Sequence, residues 1–159
     1  MLSRIPFGRA LRAAWSSLRP LPGGRAIFSG VFGTMVPYSG TIHPLILELE
    51  PGYARVQIRD RRSVRNHLES VHAIALMNVA EMATGLAMMF GLPDDARAII
   101  THLSIDYLKK ARGTLTAECR CEVPRTNERA EYDFSSDVRD ESGEVVARAQ
   151  ARWLVGPAS

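Results

Sequence analysis

The chain has 159 residues, 46% hydrophobic and 23% charged, with a formal net charge of +3. Those proportions describe a globular domain large enough to bury a sizeable core, and they exclude a low-complexity chain. Lys109 and Lys110 are the only lysines, and the arginines are spread along the chain rather than gathered in a patch, which argues against nucleic acid as the partner.

Residues 1–30 contain Arg4, Arg9, Arg12, Arg19 and Arg25, and the first acid in the chain is Glu48. Phe7, Leu11, Ala14, Trp15 and Leu18 recur at helical spacing, so an amphipathic helix is expected, ended by Pro20, Pro22 and Gly23-Gly24. An acid-free, arginine-rich start is also the pattern of a mitochondrial presequence. The helix-to-loop junction favours a peripheral helix packed on the domain, with the protein in the cytoplasm and the mitochondrial matrix as the alternative. The expected division is an N-terminal amphipathic helix and loop (1–36) followed by one domain (37–159).

Two extended stretches, 43–50 and 53–60, flank Pro51-Gly52 and read as a β-hairpin. From Ser70 to Gly91 the chain is apolar on every side, with Glu81 as its only acid and no Lys or Arg. Such a helix is buried in a core or in a membrane; Glu81, Asn78 and His72 argue against a membrane span. Gly91 and Pro93 end it. Four further strands follow, over 96–108, 113–123, 129–139 and 144–155. In the first of these, Ile99, Thr101, Leu103, Ile105 and Tyr107 are expected on the apolar face, with Ile100, His102, Ser104 and Asp106 opposite. In the second, Cys119 and Cys121 share a face, a poor disulfide geometry that reads as reduced thiols. The fold class is α+β: an antiparallel sheet wrapped around one long central helix, with an extra N-terminal helix.

A strand pair, a buried helix and a four-strand meander are the elements of the hotdog fold. Within that frame the stretch NHLESVHAIALMNVAE (66–81) resembles acyl-CoA thioesterases of the phenylacetate type. Those enzymes carry an Asn before the helix, His-Gly-Gly at its start and an Asp or Glu further along. Asn66, His72-Ala73 and Glu81 stand at the matching spacing, although Ala73 and Ile74 replace both glycines. SIDYLKKARG (104–113) and the span from about Pro37 to Trp153 resemble a thioesterase-like branch long left as a domain of unknown function.

The resemblance implies thioester hydrolysis. Glu81 would be general base or nucleophile, the Ala73 amide the oxyanion donor, and Asn66 the group that orients water or the carboxylate; Thr101 would add a hydroxyl. It also implies a site between protomers of a homodimer or a dimer of dimers. His72, Arg61, Arg62, Arg97, Lys109, Lys110 and Arg112 are the expected substrate-binding residues, the cations meeting coenzyme A phosphates. Nothing in the sequence requires a metal or redox cofactor. A non-catalytic acyl-CoA or fatty-acyl binding module on the same fold is the alternative function.

Overall fold

A computed structural model describes residues 5–158; Arg4 lies outside the described residues. The elements in order are α1 (Phe7–Leu18), α2 (Gly24–Met35), α3 (Pro37–Gly40), β1 (Leu45–Glu50), β2 (Tyr53–Arg59), a 3₁₀ turn at Arg62–Val64, α4 (Ala73–Gly91), β3 (Ala96–Tyr107), β4 (Thr114–Arg120), β5 (Ala130–Arg139) and β6 (Val145–Pro157). All strand pairs are antiparallel, in the order β1-β2-β4-β5-β6-β3.

The strands close around α4 because each one presents an apolar row to it. Leu115, Ala117 and Cys119 of β4, Phe134 and Val138 of β5, and Ala147, Ala149, Ala151 and Trp153 of β6 are buried on the inner face. Thirteen α4 residues are buried against them, among them Leu76, Val79, Met82, Leu86 and Met88. Burial of each large side chain stabilises by roughly 1.5–3 kcal/mol, so the helix is held chiefly by packing. Although α4 is long and apolar enough to cross a membrane, it is the core helix here, largely enclosed by the sheet. Cys119 and Cys121 are both free thiols, as the strand geometry suggested.

Three expectations change. First, residues 24–35 form a helix instead of a loop. Its local signals are weak, with Gly30 and Gly33 inside it, and it forms because Phe28 and Phe32 are buried and the Ser29 hydroxyl accepts from Ile46 N–H at 2.8 Å. Gly40 lets α3 approach it, since a Cβ there would lie 2.4 Å from the Gly33 carbonyl.

Second, β3 to β6 do not form a four-strand meander. Only β4-β5-β6 does, while β3 lies at the far edge beside β6. The 108–113 connection therefore crosses the end of the sheet, tied to the start of α4 by Val71 N–H donating to Ala111 at 2.8 Å.

Third, a β-bulge between Ile100 and His102 reverses the alternation of β3. Ile100 pairs with the inward Trp153 and Ile99 with Leu154 on the outer face, the opposite of the uniform pattern. Leu103 and Ile105 keep the inner face.

The N-terminal helix does pack on the domain. Leu11 and Trp15 are buried, and the Trp15 ring meets Phe28 edge-on at 4.9 Å.

Candidate active site

Glu81 sits midway along α4, and its carboxylate opens into a cavity of about 510 Å³ lined chiefly by apolar side chains. Gly85, one turn later, makes room for this arrangement. A Cβ there would lie 3.1 Å from the Trp153 ring and 3.7 Å from Glu81 Oε1. Trp153 is fixed in turn by its indole N–H, which donates to Thr84 Oγ1 at 3.2 Å, while Thr84 Oγ1 donates to the Glu81 carbonyl at 2.8 Å. Among the described residues no side chain bonds to or ion-pairs with the carboxylate. Burial alone pushes Glu81 above the usual carboxylate range.

This has a consequence for stability. The folded state holds the Glu81 proton to higher pH than the unfolded chain does, so stability falls as pH rises through that window and stays lower above it. Glu81→Gln is therefore expected to melt above the wild type at pH 7.5, by about 2–4 °C per kcal/mol relieved, and the gap should close at acidic pH. Calorimetry across pH checks this.

Ser39, on α3, was not apparent as a site residue in the sequence. It is 6% exposed, lines the same cavity, and its hydroxyl has no partner among the described residues. Its helix is anchored to α4 one turn before Glu81 by Asn78 Nδ2 donating to the Tyr38 carbonyl at 3.3 Å.

Ala73 is the first residue of α4, and its N–H bonds to no acceptor among the described residues. Its carbonyl accepts from Tyr107 Oη at 2.9 Å, which ties β3 to the helix start. His72 is the N-cap: its Nδ1 accepts from Ile74 N–H at 3.1 Å, leaving the exposed ring edge for a ligand. Beside them a second, smaller cavity of about 210 Å³ is lined by Tyr38, Thr41, Arg65, His72, Ile74 and Asn78.

Two proposed catalytic residues are placed elsewhere. Asn66 Oδ1 accepts from Leu68 N–H, Ser70 N–H and Ser70 Oγ at 2.9–3.2 Å. Its acceptor oxygen is spent on an Asx turn that shapes the loop into α4, which leaves only the Nδ2 group to orient water or a carboxylate. Thr101 stands in the β3 bulge, exposed, and donates to Glu131 Oε1 at 3.1 Å. Glu131 pairs with Leu154 on the outer face, so the bulge carries Thr101 away from the Glu81 cavity of its own protomer.

The expected cations divide. Arg61, Arg62, Lys110 and Arg112 lie at the end of the molecule where α4 begins. Arg61 donates to the Thr41 carbonyl at 3.1 Å and Arg112 to the Glu69 carbonyl at 3.2 Å. Lys109 is paired with Asp140 and Glu144. Arg97 lines the Glu81 cavity instead, away from the other cations.

An antiparallel sheet wrapped around one long buried helix is the hotdog fold. Residues 24–155 match the family described as a domain of unknown function, DUF4442, and the chain belongs to that family. The structural-genomics protein APC5556 is 30% identical, with 94% of this chain and 99% of that one covered and a TM-score of 0.81. A Pseudomonas aeruginosa protein described as of unknown function and a probable thioesterase is 26% identical over 87% of this chain and 97% of its own, at a TM-score of 0.72. A thioesterase family protein from Silicibacter pomeroyi, 16% identical over 82% of this chain and 96% of its own, shares the fold at a TM-score of 0.70. No curated protein matches the chain in sequence.

Proposed function

We propose that this protein hydrolyses acyl-CoA thioesters at a site assembled from two protomers. The observation that carries the reading is the carboxylate of Glu81: it is desolvated, bonds to no side chain among the described residues, and opens to a largely apolar cavity on a helix whose first N–H meets no acceptor among them. Desolvation raises the basicity of a carboxylate toward the range in which a general base works at neutral pH.

In the reaction, Glu81 takes a proton from water as its oxygen bonds to the thioester carbonyl carbon. The negative charge that forms on the carbonyl oxygen is met by the Ala73 N–H, aligned with the positive end of the α4 dipole. Collapse of that intermediate breaks the C–S bond, and the thiolate leaves with the proton that Glu81 accepted. The Ser39 hydroxyl, free in the same cavity, would hold the attacking water.

Helix geometry favours a site shared between protomers. Ala73 and Glu81 are eight residues apart, about 12 Å along the axis at 1.5 Å per residue. The amide must reach the carbonyl oxygen while the carboxylate reaches the attacking water, a span that two facing helices close more readily than one. A second copy would supply the facing helix, with its α4 start set against the first copy's Glu81. The long edge strand β3 supports the pairing: Ile99, Tyr107 and Leu108 are exposed along it, and one side of its backbone ladder is unpaired. Coenzyme A phosphates would then meet Arg61, Arg62, Lys110 and Arg112 near the helix start.

Release of thiol from a panel of short, medium, long and aryl acyl-CoAs tests the proposal. Turnover is expected with at least one class. Tight acyl-CoA binding without turnover would instead mark a non-catalytic acyl-CoA binding module.

A further inference from the structure

The Glu81 cavity is lined in part by a stretch of the chain outside the family match, which begins at residue 24. Ile5, Phe7 and Gly8, at the start of α1, line it opposite α4 residues Met82, Leu86 and Met89. The approach is close: a Cβ on Gly8 would lie 2.8 Å from the Met89 carbonyl. Polar contacts from Arg9 and Arg12 help hold α1 in place. Arg12 Nη1 donates to the Phe90 carbonyl at 2.9 Å, and Arg9 Nε and Arg12 Nη2 both reach the Asp94 carboxylate, at 2.8 Å and 2.5 Å. These cations hold the Asp94 carboxyl below its ordinary range, so Asp94 is committed to the clamp and not to a ligand.

We infer that α1 is the end wall of the acyl pocket and that Phe7 sets the length of chain the pocket accepts. The inference rests on the proposed thioester site. It also names the substrate class. The cavity that Glu81 and Phe7 share is lined chiefly by apolar side chains, with Ser39, Asp94 and Arg97 among the few polar ones, which suits an aliphatic acyl chain. In such a pocket each added methylene changes discrimination by about 10–200-fold, so the position of the end wall decides which chain length is preferred.

The test compares wild type, Phe7→Ala and Phe7→Trp in two assays across straight-chain acyl groups. One assay is kcat/KM on acyl-CoAs; the other is calorimetric affinity for the matching thioether analogues of CoA, which cannot be hydrolysed. Phe7 is partly exposed, and both variants keep an apolar residue, so each keeps the helix. Phe7→Ala is expected to move the preference to longer chains and Phe7→Trp to shorter ones. The ratio of long to short substrate should change by about tenfold or more in each direction. A shift in thioether affinity without turnover in any form would uphold the wall and overturn hydrolysis. Identical chain-length profiles in all three proteins, or no dependence of affinity on chain length in the wild type, would overturn the wall.

Discussion

Ala73→Pro is expected to fold as the wild type does and to lose about 10²–10³-fold in kcat, the loss seen when one oxyanion donor is removed. The substitution is suited to the question because proline lacks only the group under test. Ala73 is the first position of α4, where proline is favoured: its fixed φ matches the helix and its missing N–H has no helical acceptor to lose. The residue before a proline must be extended, and His72 already has φ −63° and ψ 141°. The Tyr107 bond to the Ala73 carbonyl is retained, because a carbonyl is all it needs. Circular dichroism and melting temperature should match the wild type while thiol release collapses. Wild-type turnover in Ala73→Pro would remove the amide from the mechanism.

Glu81→Gln is expected to lower kcat by about 10²-fold or more, with little change in acyl-CoA affinity, since glutamine keeps the shape and removes the base. The pH profile separates this from a structural effect. Burial lifts Glu81 above the usual carboxylate range, so wild-type activity should rise with pH through that raised pKa as the base loses its proton. The residual activity of the variant should lack that acidic limb. The same change should raise the melting temperature at neutral pH, so lower activity would accompany higher stability. A variant both inactive and less stable would point to a structural carboxylate.

Much of this site is legible in the sequence because α4 is an extreme case. A helix with no charge but Glu81 must be the core, and the one acid on it has no bland place to sit. Alternating strands such as 114–120 and 145–155 were equally plain, since both faces carry their own residue types. What escaped depends on contacts between distant segments. The helix at 24–35 contains two interior glycines and is made by burial of Phe28 and Phe32, which no local propensity records. The bulge at Ile100–His102 shifts the strand by one residue, and that single insertion carries Thr101 to the outer face. Asn66 is correctly placed before the helix, but its oxygen is absorbed by Leu68 and Ser70 only once the loop has folded. Ser39 and Phe7 gain their meaning from the cavity they share with Glu81, from which they lie about forty and more than seventy residues away along the chain.

The central claim is that Ala73 of one protomer and Glu81 of another make a single reaction centre, and subunit mixing tests it most directly. Ala73→Pro and Glu81→Gln protomers, each nearly inactive alone, would be co-refolded or co-expressed and assayed as mixed dimers. A mixed dimer holds one site with both an intact amide and an intact carboxylate, so random pairing should restore roughly a quarter of wild-type turnover. If the mixture stays as inactive as its two components although mixed dimers have formed, both groups act within one protomer or not at all, and the shared site is wrong.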